Sequence, residues 1–260
     1  MQIFNGKTAL VTGASSGIGQ ELSRQLAAMG CNLILVARRT ERLEALAAEL
    51  CRVSVCVITS DLADPLVPQQ LFDEVARRGL MVDILINNAG YGYQKNLLEL
   101  SLEQTLGMLE VNDRALLALT RLFAEPMAER GEGWILNISS VSAWFPIPGM
   151  ATYAASKAFV QTLGRALHEE LKPCGIVVTT LSPGGTRTEF SSKARGEMDP
   201  SLQRTMMAVS PVARAGLVGL AKGKAVVIPG WLYRLMTFIT RCLPERWVVR
   251  LAGSVMGRHR

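Results

Sequence analysis

Short apolar runs alternate with helical patterns along most of the chain. Residues 33–36 and 55–58, for example, are continuously apolar instead of alternating with polar residues. Such runs are typical of parallel strands that are buried on both faces of a sheet. Because right-handed strand–helix–strand connections place helices on both faces of such a sheet, the alternation predicts an α/β fold with a doubly wound parallel sheet.

The chain is organised as one domain with a helical extension. Its 260 residues are 49% apolar and 19% charged, which excludes a disordered or low-complexity chain. The sequence contains no linker and no repeat, so we expect residues 1–230 to form the domain, with residues 186–211 as a polar loop or lid. Residues 1–7 show no leader pattern, and the longest uncharged run, residues 133–156, contains Pro146 and Pro148. We therefore expect neither a signal peptide nor a membrane-spanning segment.

The charge of the chain is concentrated at its C-terminus. A net charge of +6 and a pI near 9.3 first suggest a nucleic-acid partner. Residues 231–260, however, hold six arginines and one glutamate, while residues 1–230 hold 22 basic and 21 acidic groups. Because no arginine stripe with interleaved aromatic residues occurs outside the last 30 residues, we expect no nucleic-acid binding.

Cysteine and histidine usage gives no indication of a metal site. The five cysteines form no CxxC pair, and the two histidines, His168 and His259, are far apart in the sequence. Reduced thiols are the simplest interpretation, and they favour a cytoplasmic protein.

A glycine-rich loop follows the first predicted strand and opens a helix. Gly13, Gly17 and Gly19 have the spacing G-x-x-x-G-x-G. Glycines permit a tight turn and close backbone approach to a pyrophosphate, and the helix N-terminus supplies unpaired N–H groups. The pattern favours dinucleotide binding, although an ordinary strand-to-helix turn is the alternative for this motif alone.

The end of the second predicted strand bears on the choice of cofactor. An NAD site usually carries an acid about 20 residues beyond the glycine loop, whereas Arg38 and Arg39 stand here. A guanidinium binds a 2′-phosphate well, with Ser15 adding a hydrogen bond, so NADP(H) is favoured over NAD(H). The alternative is that both arginines are solvated surface charges.

Two Tyr-x-x-x-Lys spacings occur in the chain. Tyr91 and Lys95 fall in a predicted loop that contains Gly92, whereas Tyr153 and Lys157 fall in a predicted helix. Only a helix places residues i and i+4 on one face, where an ammonium can lower the pKa of a tyrosine from about 10. The second pair is therefore the candidate for proton transfer.

These motifs together resemble the short-chain dehydrogenase/reductase family, from the first strand to about Thr188. The motifs are residues 12–19, Asp61-Leu62, Asn87-Asn88-Ala89-Gly90, Asn112, Ser139-Ser140, Tyr153 to Lys157, and Pro183-Gly184 through Thr188. In the family the catalytic serine precedes the tyrosine by 13 positions, which selects Ser140 and argues against Tyr91, because position 78 is Arg78. The resemblance implies a single-domain Rossmann-type fold.

The resemblance also implies a role for each motif residue. Tyr153 would transfer a proton to or from the substrate oxygen, Ser140 would polarise that oxygen, Lys157 would hold the nicotinamide ribose, and Asn112 would position a water. Cofactor contacts would come from Gly13, Ser15, Ser16, Gly17, Ile18, Gly19, Arg38, Arg39, Asp61, Leu62, Asn88, Ala89, Gly90, Tyr153, Lys157, Pro183, Gly184, Thr186 and Thr188. Thr186 departs from the aliphatic residue of many relatives.

The expected activity is NADPH-dependent reduction of a hydrophobic ketone or aldehyde, or oxidation of the matching secondary alcohol. The substrate side would be formed by an apolar set comprising Tyr91, Tyr93, Ala143, Trp144, Phe145, Ile147 and Met150, several of which could instead pack in the core. The alternative function is a cofactor-sensing binding protein on the same fold, for which a complete set of catalytic residues would be unnecessary. The resemblance also suggests a homodimer or homotetramer through the long helices at residues 101–123 and 152–171.

Residues 231–260 are predicted to form two basic amphipathic helices. Apolar residues such as Trp231, Phe238 and Trp247 oppose arginines at helical spacing. Packing of the apolar faces on the domain or on another subunit is one interpretation, and peripheral docking on an anionic membrane is the other.

Overall fold

The sheet has seven parallel strands in the order β3-β2-β1-β4-β5-β6-β7. A computed structural model describes residues 2–189 and 206–257 of the chain. The strands are β1 (Thr8–Thr12), β2 (Asn32–Ala37), β3 (Val55–Thr59), β4 (Ile84–Asn87), β5 (Gly133–Ile138), β6 (Ile176–Leu181) and β7 (Val226–Val227). The predicted α/β fold with a doubly wound parallel sheet is confirmed. The apolar run at residues 225–229 predicts a last strand of five residues, and β7 has two.

Helices cover both faces of the sheet. They are α1 (Gly17–Ala28), α2 (Thr40–Glu49), α3 (Val67–Arg77), α4 (Leu102–Leu109), α5 (Leu116–Arg130), α6 (Ala151–Glu170), α7 (Val209–Ala221), α8 (Trp231–Cys242) and α9 (Glu245–Gly257). A π-helical segment, Glu110–Ala115, joins α4 to α5. The single helix predicted around residues 101–123 is therefore interrupted at this segment, and its second part extends to Arg130.

Each strand contributes to two separate cores. Val11 and Leu35 pack in the core on one face of the sheet, and Leu10 and Ile34 pack in the core on the other face. Because successive side chains of a strand point to opposite faces, a strand between two cores is buried on both sides, as β4 and β5 are along their whole length. This double burial explains the continuous apolar runs in the sequence.

The topology directs the loops with chemical motifs to one edge of the sheet. Strand order reverses between β1 and β4, and ligands of doubly wound sheets bind at such a switch point, outside the carboxyl ends of the strands. The loops that leave β1, β4, β5 and β6 all begin at this edge. Most of the lid predicted at residues 186–211 lies outside the described residues.

The two predicted C-terminal helices form, but α8 is turned with its apolar face outward. Thr237 is buried against the rest of the chain, whereas Trp231 is 70% exposed and Phe238 is 65% exposed. The interpretation that the apolar face of α8 packs on the domain is therefore wrong. The reason is that polar and aromatic contacts hold the other face: the Tyr233 ring lies against Gly184, and the Arg241 guanidinium lies 4.1 Å from the centre of the Trp144 ring.

Within residues 2–189 and 206–257, no helix has both the length and the apolar character needed to cross a membrane.

Candidate active site

The glycine loop has the backbone geometry that its sequence predicts. Gly13 and Gly17 have φ values of 65° and 58°, in the left-handed region that favours glycine. A Cβ at residue 19 would lie 2.3 Å from Asn88 Nδ2, so only glycine allows α1 to begin this close to β4. The N-terminus of α1, which begins at Gly17, can accept a pyrophosphate at this point, because backbone N–H groups point outward there.

Asn88 ties this loop to the neighbouring strand. Its Nδ2 donates hydrogen bonds to Thr12 O at 2.9 Å and to Gly13 O at 3.1 Å. The Thr12 hydroxyl in turn accepts from the backbone N–H groups of Asn88 and Ala89. The predicted cofactor motifs of β1 and β4 are therefore joined into one rigid unit, with Ile18 packed partly into the core.

The two arginines after β2 lie in different environments. Arg39 donates to the hydroxyl groups of Ser15 and Ser16 at 2.9–3.2 Å and to the Glu189 carboxylate at 2.8 Å. Arg38 is exposed, and its guanidinium lies 3.7 Å from the Asp61 carboxylate. The Arg39 guanidinium is therefore held against the glycine loop. A phosphate bound there could compete with the Glu189 carboxylate for the guanidinium. Hydrogen bonds from Arg39 and Arg42 lower the pKa of Glu189 to about 2.

Tyr153 and Lys157 lie on one face of α6, as their spacing predicts. The Lys157 Nζ is 5.9 Å from the centre of the Tyr153 ring and donates to Ile138 O at 3.0 Å. Both side chains are buried, and burial lowers the pKa of Lys157 to about 8. Tyr91 and Lys95 lie in a loop, as expected.

Ser140 begins the helical turn Val141–Trp144, which packs against α6. Its Oγ accepts a hydrogen bond from the Ser142 N–H at 3.1 Å. Because a hydroxyl that accepts through a lone pair still has its own hydrogen to give, Ser140 can donate to a substrate oxygen.

Asn112 lies in the π-helical segment and is completely buried. Its Oδ1 accepts from Tyr91 N, and its Nδ2 donates to Tyr91 O and to Ser156 Oγ. The side chain therefore fastens the loop after β4 to α6. A Cβ at Gly90 would lie 2.9 Å from Asn112 Oδ1 and 3.2 Å from Lys157 Nζ, so these groups meet around Gly90. π-helical segments of this kind are frequent at functional sites.

Asp113 is a neighbour of this site that the sequence did not single out. Its Oδ1 is buried and has no hydrogen-bond partner among the described residues. Burial raises the pKa of Asp113 to about 7, and the positive charge of Lys157 opposes this shift. Its position next to Asn112 in the sequence is the one feature from which its place in the site could have been predicted.

The segment after β6 lies beside the glycine loop. Thr186 donates to Gly184 O at 3.0 Å, and Thr188 is close enough to Gly17 that a Cβ there would lie 3.2 Å from Thr188 Cγ2. A Cβ at Gly184 would lie 2.2 Å from the Tyr233 ring, so α8 also reaches this segment, which the sequence did not predict. Leu62, by contrast, is buried in the core, and only its backbone can face a cofactor.

A mainly apolar cleft lies beside Tyr153. It is lined by Tyr93, Lys95, Leu97, Leu100, Met108, Met150, Ala151, Thr152 and Tyr153. Of the predicted substrate residues, Tyr93 and Met150 line this cleft. Ile147 is buried with Met150 and Tyr153 in a small apolar cluster, against which Tyr91 and Phe145 pack. Trp144 instead lies under Arg241. Leu97, Leu100 and Met108 are cleft residues that the sequence did not predict. Apolar residues in a loop or a helix show no local sequence pattern that distinguishes a cleft from the core.

Comparison with family models and curated proteins supports one family. Residues 7–199 match the model described as short chain dehydrogenase. A very-long-chain 3-oxoacyl-CoA reductase from Anas platyrhynchos is 32% identical over 244 residues, which are 89% of this chain and 76% of that protein.

Solved structures give the same result. A short-chain dehydrogenase from Sphingobium yanoikuyae in complex with NADPH matches with 37% identity and a TM-score of 0.80, covering 86% of this chain and 88% of the other. A bulky-bulky ketone specific alcohol dehydrogenase from Comamonas testosteroni matches with 32% identity and a TM-score of 0.77, covering 94% of this chain and 90% of the other.

Proposed function

The chain belongs to the short-chain dehydrogenase/reductase family of oxidoreductases, and from this premise we propose that it reduces a hydrophobic ketone or aldehyde with NADPH, or oxidises the matching secondary alcohol. The observation that carries the proposal is the buried Lys157 ammonium beside Tyr153 on α6. Burying a lysine to 5% exposure costs free energy that the hydrogen bond from Nζ to Ile138 O offsets only in part, and buried titratable groups of this kind cluster at functional sites.

The proposed chemistry divides between the cofactor and the protein. A dinucleotide whose pyrophosphate is held by the glycine loop would supply the hydride for the carbonyl carbon. Tyr153 donates its phenolic proton to the carbonyl oxygen, and the Ser140 hydroxyl donates a hydrogen bond to the same oxygen. The Lys157 ammonium lowers the pKa of Tyr153 by stabilising the phenolate, which then regains a proton from solvent. Asn112 holds the loop after β4 against α6 and thereby fixes Tyr153.

The preference for NADP(H) is part of the proposal. It is supported by Arg39, whose guanidinium already binds the Ser15 and Ser16 hydroxyls and could bind a 2′-phosphate in the same place. NADPH binding in the Sphingobium relative agrees with this assignment. Arg38 is a second cation at the same edge, although it lies close to Asp61.

A hydrophobic substrate is supported by the composition of the cleft. Tyr93, Leu97, Leu100, Met108 and Met150 line the shallow cleft beside Tyr153 and offer apolar surface against which an acyl chain or a bulky ring could pack. The named substrates of two relatives, a very-long-chain 3-oxoacyl-CoA and a bulky-bulky ketone, are of this kind.

The test is a comparison of NADPH and NADH oxidation with ketones and aldehydes of increasing chain length. We expect NADPH to be preferred, kcat/KM to rise with chain length, and Tyr153→Phe to lower kcat by about 10²–10⁴. NADPH binding without turnover of any carbonyl would contradict the proposal and support a cofactor sensor. Strict NADH preference would contradict the assignment of the arginines.

Two further expectations stay predictions. All five cysteines are free thiols, which agrees with a cytoplasmic protein, and fractionation of cells would check this. A homodimer or homotetramer through the helical stretches at residues 101–123 and 152–171 would be checked by sedimentation velocity.

A further inference from the structure

Each of the two C-terminal helices presents apolar side chains that the rest of the described chain does not cover. We call these side chains together the tail face, which consists of Trp231, Leu232, Leu235, Phe238 and Ile239 on α8, Leu243 between the helices, and Trp247 and Leu251 on α9, all between 38% and 70% exposed. Scattered exposed apolar residues are normal, but contiguous apolar surface with polar edges marks an interaction site.

The exposure follows from how α8 and α9 are held. The Tyr233 ring lies against Gly184, the Thr237 hydroxyl is buried and donates to Arg234 O, and the Arg241 guanidinium lies over the Trp144 ring. On α9, Val248 is buried, and a Cβ at Gly253 would be in ordinary contact with Pro148. Both helices are therefore docked through their other faces, so rotating them to bury the tail face would break these contacts.

Arginines border the tail face along one edge of α8 and on α9. Arg234 and Arg241 follow one edge of the exposed arc of α8, while Arg246 and Arg250 are exposed beside Trp247 and Leu251 on α9. Residues 231–260 carry six arginines against the single acid Glu245. Helices that join tryptophan and leucine to a rim of arginines are suited to the boundary between lipid headgroups and acyl chains.

Charge also separates the tail face from a second exposed apolar surface. Leu98, Leu102 and Leu106, in and before α4, are exposed too, but Glu99 and Glu103 lie among them. An anionic surface would repel that region and attract the tail face. Two copies of the C-terminal segment would in turn repel each other, because residues 231–260 carry a net charge of +5 in each copy.

We propose that the tail face docks this protein on the surface of a bilayer that contains anionic lipids. The apolar side chains enter the headgroup region, and the exposed Arg246 and Arg250 bind the lipid phosphates. Because α8 contacts Gly184 and both tail helices contact the segment 144–148, docking holds the substrate side of the proposed active site close to the bilayer. The proposal rests on the tail alone and does not depend on the chemistry proposed above.

The test is co-sedimentation of the full-length protein with vesicles of phosphatidylcholine alone or of phosphatidylcholine and phosphatidylglycerol in equal parts. We expect binding to the anionic vesicles that weakens as salt is added. The triple variant Trp231→Ser, Phe238→Ser, Trp247→Ser should bind about tenfold more weakly or worse, and Arg246→Glu with Arg250→Glu should lose the preference for anionic vesicles.

The matched control is Leu98→Ser with Leu102→Ser, which removes equally exposed apolar side chains from the acidic surface and should leave vesicle binding unchanged. Circular dichroism of each variant confirms that it is folded. The proposal is overturned if the wild-type protein stays in solution with anionic vesicles, or if the triple variant binds them as well as the wild type. It is also overturned if the triple variant converts a dimer to a monomer while the wild type ignores vesicles, because the tail face would then be a contact between two copies.

Discussion

The centre of the molecule and its C-terminal helices distribute polar and apolar side chains in opposite ways. At the centre, Asn112 and Lys157 are buried and hydrogen bonded. In the tail, Trp231 and Phe238 are exposed while Thr237 is buried. Each region departs from the usual partition, in which charged groups stay in water and large apolar groups leave it.

This difference indicates that the centre of the molecule serves chemistry and that the C-terminal helices serve association. A buried cation is tolerated only where neighbouring groups compensate it, and the compensation at Lys157 comes from Ile138 O and from Asp113. An exposed apolar face needs no internal compensation, because its partner is outside the chain. Variants at the centre should therefore change chemistry, and variants in the tail should change association.

The largest effect is expected at Lys157. Lys157→Met keeps most of the side-chain volume but removes the charge that stabilises the Tyr153 phenolate. We expect kcat/KM for carbonyl reduction to fall by about 10²–10⁴, measured with NADPH and the best carbonyl substrate. The control is Lys172→Met, an exposed lysine just after α6, which should retain normal activity. A Lys157→Met protein that is folded and at least half as active as the wild type would contradict the proposal that the charge of Lys157 stabilises the Tyr153 phenolate.

A smaller effect is expected at Asp113, and it concerns pH. The Asp113 carboxylate raises the pKa of Lys157 against the larger lowering by burial, and the result is about 8. Asp113→Asn removes this support, so the pKa of Lys157 falls further and the ammonium is lost at a lower pH. The alkaline limb of the kcat/KM profile for reduction should move to lower pH by about one unit, the low end of what a nearby opposite charge produces.

The control for this shift is Asp64→Asn, a change of the same kind at an exposed loop residue remote from α6. Its pH profile should match that of the wild type. An Asp113→Asn profile that keeps its alkaline limb, with only a lower plateau, would mean that Asp113 acts on structure and not on the charge of Lys157.

The smallest effect is expected for the stability of tail variants. Phe238→Ser should change the free energy of unfolding by no more than about 0.5 kcal/mol, because an exposed side chain loses little packing. The reference is Leu22→Ala in the core beside β1, where a completely buried leucine should cost about 2–5 kcal/mol. Both values come from urea unfolding without lipid. A loss at Phe238 comparable with that at Leu22 would show that the tail face is covered in solution.

The fold and most of the site were predictable because their signals are local. Continuous apolar runs identify buried parallel strands, and the spacing of Gly13, Gly17 and Gly19 identifies a loop with left-handed backbone at its first two glycines. The helical spacing of Tyr153 and Lys157 likewise fixes a shared face without knowledge of the tertiary structure. The shortening of β7 was not predictable, since strand pairing depends on the partner strand as well as on β-propensity.

The unpredicted features depend on contacts between distant segments. Arg38 and Arg39 are equivalent in sequence, yet only Arg39 turns toward the glycine loop, because Ser15, Ser16 and Glu189 receive it there. The orientation of α8 depends on Tyr233 meeting Gly184, 49 positions earlier in the sequence. An amphipathic pattern predicts that a helix has an apolar and a polar face, but contacts with the rest of the chain determine which of the two faces packs against it.

The contact between Tyr233 and Gly184 also joins two binding equilibria. If a nicotinamide at Gly184 shifts the position of Tyr233, α8 shifts with it, and the affinity of the tail for lipid changes by some factor. Thermodynamic reciprocity then requires lipid to change the affinity for the cofactor by the same factor. A titration of NADPH in the presence and absence of vesicles would therefore measure the coupling free energy between a ligand bound on one side of α8 and a lipid surface bound on the other.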